Sequence, residues 1–167
     1  MSGATVSTTG ATGRGIYISG GATAVANQSD IGTQGDSAIA AYVTGSGSSL
    51  TMTGGSLATA RASAHGAYVA SGAMFGATDT AISSALGVGV WALGTQVNLT
   101  RGSVSGGLYA AYLQDGAALT ANGTTFTAGS GAIRGVQSAG SNLDLADVTV
   151  NTTATNNYGV MPIPAVR

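Results

Sequence analysis

The side chains that could carry out chemistry in this chain are few. The sequence has one histidine, His65, and six aspartates, and it has no cysteine, lysine or glutamate. Without cysteine there is no thiolate nucleophile and no disulfide, and without lysine there is no phosphate-binding lysine and no Schiff base. One histidine and scattered aspartates are a poor ligand set for zinc, which prefers nitrogen and sulfur ligands. We therefore expect no metal, no cofactor and no enzymatic activity.

The aspartates are spaced like turn residues rather than like a catalytic pair. A hydrolase acting on polysaccharides needs two or three carboxylates on one face, about 5–10 Å apart. We instead expect the aspartates to cap backbone N–H groups in turns. The stretch 32–39 resembles a calcium-binding nonapeptide, but it occurs once, whereas a calcium-binding roll needs tandem copies. The six residues are Asp30, Asp36, Asp79, Asp115, Asp144 and Asp147.

His65 and the overall charge exclude further classes of function. As a catalytic base His65 would need a serine in a strained elbow, and the motif G-x-S-x-G does not occur. We expect a solvent-facing loop histidine. The net charge of −1 provides no basic surface for nucleic acid. No apolar run approaches the roughly 18 residues needed to cross a bilayer, so we expect no membrane insertion by this segment.

The elements that position these residues are repeats of about 24 residues, which place apolar side chains in three columns. Short alternations of apolar and small residues within each repeat indicate strands with one buried face. The first column is Val25, Leu50, Phe75, Val97, Leu119 and Leu143. The second is Val6, Ile31, Leu57, Ile82, Val104, Phe126 and Val148. The third is Ile16, Ala41, Ala67, Val90, Ala111, Val136 and Val160.

Three short strands per repeat predict an all-β fold, a right-handed parallel β-helix of about seven coils. We expect residues 1–167 to form a single repeat domain, as a fragment of a longer protein. The thin core of such a coil suits small residues, and four hydroxyl side chains, Thr8, Thr33, Thr59 and Ser84, are expected to point inward and hydrogen-bond along the stack.

A stripe of large side chains follows the third column, namely Tyr17, Tyr42, Tyr68, Trp91 and Tyr112, then Gln137 and Met161. Each lies between two inward residues, so alternation predicts that it points outward. Five aromatics in line would form an exposed ladder roughly 20 Å long. The ladder could stabilise the register of the coils, or it could bind sugar rings or a partner protein, because exposed apolar patches are usually used.

The repeats resemble those of autotransporter passenger domains of the pertactin type. The phrases that carry the resemblance are GGSLAT at 54–59, GSVSG at 102–106, GAYV at 66–69 and GVWA at 89–92, and residues 4–163 fit the pattern. The resemblance implies a bacterial surface or secreted protein, exported as part of a larger precursor and adhesive in function. The absence of cysteine is consistent with export of an unfolded chain.

These observations lead to the hypothesis of a non-enzymatic, adhesin-like fragment that presents a rigid binding surface to a host-cell protein or glycan. Two alternatives stay open, a structural stalk without a ligand and a β-helix polysaccharide hydrolase or lyase. We also expect weak end-to-end self-association through unpaired strands of the end coils. Pro162 and Pro164 lack an N–H donor and partly protect the C-terminal end.

Overall fold

The computed structural model describes residues 1–155 and 157–163, and within them it contains strands and turns but no helix. Glycine, β-branched and hydroxyl residues favour this extended backbone over helix. The strands are β1 (Thr5–Thr8), β2 (Arg14–Ile18), β3 (Thr23–Thr33), β4 (Ile39–Thr44), β5 (Ser49–Ala62), β6 (His65–Ala70), β7 (Met74–Thr78), β8 (Ala81–Leu86), β9 (Val88–Leu93), β10 (Gln96–Thr100), β11 (Ser103–Gly106), β12 (Tyr109–Gln114), β13 (Ala118–Asn122), β14 (Thr125–Ala128), β15 (Arg134–Ala139), β16 (Asn142–Ala146), β17 (Thr149–Thr152) and β18 (Tyr158–Ile163).

The strands stack in parallel on three faces, which confirms a β-solenoid of about seven coils. Face A contains residues 23–27 of β3, residues 49–53 of β5, and β7, β10, β13 and β16. Face B contains β1, residues 29–33 of β3, residues 55–59 of β5, and β8, β11, β14 and β17. Face C contains β2, β4, β6, β9, β12, β15 and β18.

The pairing register confirms the third apolar column in full and corrects one residue in each of the others. In the first column Ala24, not Val25, pairs with Leu50, and the Val25 side chain is exposed. In the second column Phe126 pairs with Val150 rather than with Val148. Side chains alternate between the two sides of a strand, so Val25, one position away from the register, points outward. Val148 lies two positions away, just before β17 begins at Thr149.

The corner between faces A and B explains why this register holds. Ala24 and Val150 are the column residues in the observed register. With them, the second-column residue follows the first-column residue by seven positions in all six coils that contain both. The turn at this corner has a residue with positive φ in every coil, followed by a second one, Gly55 or Gly102, in two coils. This conformation bends the chain sharply between two strands. The first of these residues in each coil are Gly3, Gln28, Gly54, Asp79, Arg101, Gly123 and Asp147.

The core combines large side chains from all three faces with very small ones at one position of face C. Phe75 and Phe126 are among the largest fully buried residues. The residue before the third column is always glycine or alanine, and a Cβ added to Gly66 would lie 2.7 Å from Ile82 Cγ2. This contact requires something to shift, so Gly66 makes room for the isoleucine of face B.

The predicted column of inward hydroxyls is confirmed in position but not in its hydrogen bonds. Thr8, Thr33, Thr59 and Ser84 lie in register on four coils. Ser84 Oγ donates to the Ala64 carbonyl oxygen, 2.7 Å away, and accepts from the N–H of the third residue after it. The hydroxyls of the three threonines have no hydrogen-bond partner among the described residues. Pro162 lies in β18, and Pro164 lies outside the described residues.

Candidate functional site

The aromatic ladder consists of Tyr17, Tyr42, Tyr68, Trp91 and Tyr112, one from each of five successive strands of face C. The strand pairings place each of these residues directly beside the next, which confirms the predicted alignment. Their outward direction follows from the inward third column, because each ladder residue comes directly after a column residue.

The rings of the ladder contact one another from coil to coil. The ring centroids of successive pairs, from Tyr17 to Tyr112, are 5.4, 5.0, 5.6 and 5.9 Å apart. Tyr42 and Tyr68 are stacked with 20° between their planes, whereas Tyr68 meets Trp91 edge to face at 74°. Distances in this range are those at which aromatic pairs attract each other. The ladder is therefore a continuous row of packed rings.

These contacts leave the rings only partly exposed. Tyr17, at the first coil, has 54% of its surface exposed, and the other four ladder residues are half-buried. Burial raises the pKa of Tyr68, and the charges of Tyr42 and Asp115 raise it further. The prediction that the rings point outward is confirmed, but the faces of stacked neighbours are covered and not fully open to solvent.

A second column of face C packs beside the ladder and was missed from the sequence. Arg14, His65, Tyr109 and Arg134 each lie three residues before the stripe, on four different coils. The Arg14 guanidinium carbon lies 4.6 and 4.0 Å from the centroids of the first two ladder rings, within the range of cation–π attraction. Tyr109 stacks on the ring of its own strand's ladder residue at 4.8 Å. The regular spacing of three residues was the signal for this column.

The expectation that His65 is a solvent-facing loop residue is wrong. His65 begins β6 and is half-buried, and its ring meets Trp91 edge to face at a centroid distance of 4.9 Å. Its Nδ1 accepts the backbone N–H of Val88, 3.3 Å away. Burial lowers the pKa of His65 below its usual value of 6.5. The strand register brings the His65 ring against the ladder, which its position on the corner of most variable length did not indicate.

Polar groups gather where β12 ends, beside the last two rings of the ladder. Trp91 Nε1 donates a hydrogen bond to Gln114 Oε1 at 3.1 Å. Asp115 follows in the turn, is exposed, and has a positive φ of 58°. The pKa of Tyr112 is raised by burial first and then by Tyr109 and Asp115, while a hydrogen bond with Gln114 and the charge of Arg134 oppose this rise.

The stripe changes character after the ladder. Gln137 is in register with Tyr112, and Met161 is in register with Gln137. Gln137 was expected to point outward, but only 6% of its surface is exposed. Arg134 Nη1 donates to Gln137 Oε1 at 2.7 Å and helps to cover it. The outward aromatic surface thus ends at Tyr112.

The aspartates lie largely in turns, but the structure does not show them capping backbone N–H groups. Asp36, Asp79, Asp115 and Asp147 occupy turns, while Asp30 and Asp144 lie in strands and were assigned wrongly. The side-chain hydrogen bonds of the carboxylates come instead from neighbouring coils: Ser56 Oγ donates to Asp30 Oδ1 at 2.7 Å, and Arg101 pairs with both oxygens of Asp79 at 2.6 and 2.7 Å. These carboxylates therefore hydrogen-bond to side chains on the adjacent coil and not to backbone groups of their own turn.

The described residues contain no group of three or more histidine, cysteine, aspartate or glutamate side chains placed to hold a metal ion. A depression of about 200 Å³ on the B side is lined by residues without titratable side chains, Ser84, Ala85, Ser105, Gly106, Gly107, Thr127 and Gly129. Two further depressions, of about 470 and 210 Å³, contain one titratable side chain, Asp30, in the smaller of the two. The candidate site is the aromatic ladder, because it brings five aromatic rings together with flanking polar groups.

Comparison with known proteins adds no relative. No family model, no curated protein and no solved structure matches this chain. Among the residues that the structure describes, there is no helix that is long and apolar enough to span a membrane. Function must therefore be argued from the site itself.

Proposed function

We propose that this chain is a non-enzymatic, adhesin-like segment of a bacterial surface or secreted protein, which binds its partner along the aromatic ladder. The observation that carries the proposal is the alignment of five outward aromatic residues on successive coils of one face. Exposed apolar surface of this kind marks binding sites more often than it occurs by chance. The cellular location rests on the resemblance of the repeats to pertactin-type passenger domains.

Face B supports the proposal, because it stacks without outward aromatic side chains. Its seven strands pair in the same parallel manner as those of face C. Apart from Leu86, which is exposed at the end of β8, its outward residues are small: Thr5, Ser7, Asp30, Gly32, Ser56, Ala58, Ala81, Ser83, Ser103, Ser105, Thr125, Thr127, Thr149 and Asn151. Coil stacking in this chain therefore does not require an aromatic ladder, and a use beyond stacking accounts for the rings of face C.

The test removes two central rings and measures attachment to cells. Tyr68→Thr combined with Trp91→Thr keeps strand propensity and deletes two ladder rings. The matched control is Val25→Thr combined with Met74→Thr, which removes the two exposed apolar side chains of face A, 50% and 47% exposed. We expect attachment of the labelled chain to cultured epithelial cells to fall about tenfold or more in the ladder variant, which corresponds to the loss of a binding hot spot.

The control variant is expected to attach like the original chain. Salt should affect attachment weakly, because the net charge is −1 and charge does not steer the encounter. Equal attachment by the original chain and a folded ladder variant, verified by circular dichroism, would disprove the proposal. The ladder variant should also lose thermal stability, because it deletes four of the ring contacts described above, each worth about 0.5–1.5 kcal/mol.

A second candidate function is that of a structural stalk, and the ring contacts favour it. The half-buried rings of the ladder pack on one another, and such cross-strand pairs hold neighbouring strands in register. If the stalk interpretation is correct, the ladder variant loses melting temperature while the original chain shows no saturable attachment at all. No observation favours the third alternative, a hydrolase or lyase.

A further inference from the structure

The apolar columns of the solenoid open to solvent at its two ends. In the N-terminal end coil, defined as β1 with β2, Val6 and Ile16 are half-buried, whereas their column neighbours Ile31 and Ala41 are buried. In the C-terminal end coil, defined as β16 with β17 and β18, Val160 is 41% exposed. Columns that are buried in the inner coils are therefore uncovered at both ends, and covering them is favourable.

Backbone groups of β1 are also free for pairing. The carbonyl groups of Ala4 and Thr8 accept hydrogen bonds from N–H groups of the second coil. Because the backbone groups of a strand alternate between its two edges, those of Thr5 and Ser7 point to the other edge. Among the described residues β1 pairs with β3 alone, so this other edge can accept a parallel strand.

The opposite edge is free in β17 and β18. Thr149 and Thr153 donate their N–H groups to the preceding coil, and alternation leaves the N–H group of Thr152 on the free edge. In β18 the carbonyl group of Ile163 accepts from the preceding coil. The neighbouring position, Pro162, therefore faces the free edge, where it supplies no N–H group. The C-terminal edge can thus pair with a further strand, with one donor missing.

The two end coils fit each other because their corners between faces B and C are equally long. Ile16 follows Val6 by ten positions, and Val160 follows Val150 by ten positions. In the middle of the solenoid this step is only eight positions in the coil of β8 and seven in the coil of β11. Coils of equal corner length stack with both columns in line, so the C-terminal end coil can continue directly into an N-terminal end coil.

The charges of the two ends are opposite. Residues 1–29 carry Arg14 and the N-terminal ammonium group and no aspartate, while residues 142–163 carry Asp144 and Asp147 and no arginine. Unlike ends therefore attract each other, whereas two like ends brought together repel. The charges favour a partner that presents the opposite end, which a second copy of this chain does.

Exposed side chains of the two ends also come together in this register. Tyr158, which is 60% exposed, continues the column that begins with Arg14, so stacking of a second copy places these two side by side. Met161 continues the stripe that begins with Tyr17 in the same way. A guanidinium group attracts an aromatic ring, and a thioether packs favourably on one. The junction thus gains contacts like those that Arg14 makes with the ladder.

We propose that this chain self-associates head to tail, with the C-terminal end coil of one copy stacked on the N-terminal end coil of the next. β17 pairs with β1 and β18 pairs with β2 of the second copy, in the parallel register of the inner coils. Each copy keeps one free end of each kind, so the contact does not close and produces an open series of oligomers. The inference does not depend on whether the ladder binds a partner.

Sedimentation velocity of the original chain tests the open series. Two short strands on each side form a small contact, so we expect a dissociation constant of roughly 0.1 mM. Between about 0.01 and 1 mM protein the average mass should rise past that of a dimer, and the rise should be smaller at high salt. A chain that stays monomeric at about 1 mM, or that stops at a dimer, would overturn the inference.

Cysteine cross-linking tests the orientation, because the chain has no cysteine of its own. In the proposed register Ser7 of one copy lies beside Asn151 of the other, at a separation that a disulfide can span. We expect a mixture of Ser7→Cys chains and Asn151→Cys chains to form mixed disulfide dimers in large excess over dimers of either variant alone. Thr127→Cys, one coil further inside on the same column, is the matched control and should not cross-link to the Ser7 variant. Dimers of like variants in excess would mean that like ends meet and would overturn the inference.

Two substitutions at the free edge test the strand pairing itself. Thr152→Pro removes a free N–H group and should weaken association about tenfold or more, whereas Thr152→Ala keeps the group and should not. Pro162→Ala supplies the missing donor and should strengthen association about threefold to tenfold, the effect of one added hydrogen bond. Circular dichroism verifies that each variant keeps the sheet. Equal association of a folded Thr152→Pro chain, a Pro162→Ala chain and the original chain would overturn the inference.

Discussion

Faces B and C have similar inward sides but very different outward sides. Each consists of seven parallel strands, and each turns an apolar column toward the core. On the outside, face C presents five aromatic rings in line, whereas face B presents no aromatic ring and, apart from Leu86 at the end of β8, no side chain larger than those of asparagine and aspartate. The inward columns and the strand hydrogen bonds are therefore sufficient for stacking, and the outward side of a face is free to differ.

The inward sides also differ, in a way that makes the two faces depend on each other. Face B contributes large residues such as Leu57 and Ile82, while face C contributes Ala41, Ala67 and Ala111 among its column residues. The glycine and alanine positions of face C leave room for the face B side chains, as Gly66 does for Ile82. Large side chains of face B thus fill the space that the small residues of face C leave, and neither face would be well packed without the other.

The largest expected effect comes from charging the core on either face. We expect Phe126→Asp on face B and Val136→Asp on face C each to unfold the chain, because both positions are fully buried. A buried unpaired carboxylate costs several kcal/mol, which is comparable with the roughly 5–15 kcal/mol that stabilises a typical domain. Far-UV circular dichroism and thermal melting measure the outcome.

Thr127→Asp is the matched control for these variants, since it places the same charge one residue away on the outer side of β14. It should leave the sheet spectrum unchanged and shift the melting temperature by only a few degrees. A cooperative melt in one of the two core variants would mean that the chain can fold with a charge in the inward column of that face. The two faces would then differ in how strongly the fold depends on their inward columns.

The sequence allowed the solenoid, its repeat length and the ladder to be predicted, because each depends on alternation and spacing alone. Val25 was the wrong residue for the first column because it is bulkier than Ala24, and Val148 was wrong for the second because alternation alone does not distinguish it from Val150. A constant seven-residue step between the first two columns would have selected Ala24 and Val150 instead. Corner geometry fixes register more strictly than side-chain size does.

The details of the site could not be predicted, because they depend on rotamers and on contacts between coils. Nothing in the alternation indicates that Trp91 is turned relative to Tyr68, or that Gln137 is covered by Arg134. The sequence predicts a loop at His65 because this residue lies on the corner whose length varies most between repeats. Its contact with Trp91 exists only once β6 and β9 are paired.

An intermediate effect is expected from building a ladder on face B. Ala58, Ser83 and Ser105 are outward neighbours on three successive coils. Replacing all three by tyrosine creates two ring pairs, worth about 0.5–1.5 kcal/mol each. We expect the melting temperature to rise by roughly 2–12 °C for a domain of this size.

The control for this design replaces the same three residues by valine, which supplies strand propensity without rings. A rise in the tyrosine variant beyond that of the valine variant shows that ring stacking stabilises either face. If the two variants melt alike, the ladder contacts of face C depend on its flanking residues, such as Arg14 and His65, and rings alone do not reproduce them.

The smallest expected effect is a pH dependence that only face C can produce. His65 is the one histidine of the chain, and its pKa in the folded protein is lowered by burial. Because the unfolded chain binds the proton more readily, stability is fully present above pH 6.5 and falls as the pH is lowered through the unfolded pKa toward the folded one. Protonation at Nδ1 would also remove the acceptor that Val88 uses.

We therefore expect the melting temperature to decrease slightly between pH 7.5 and pH 5, and His65→Gln to reduce that decrease. Ser83→Gln on face B places the same side chain away from the ladder and should leave the decrease as it is in the original chain. The Asp79–Arg101 pair does not interfere, because the pKa of Asp79 is lowered by its hydrogen bond with Arg101, and its contribution is lost only at more acidic pH. An equal decrease in the His65 variant and the original chain would show that the histidine does not couple the ladder to pH. It would also mean that the two faces differ in shape and polarity but not in their response to acid.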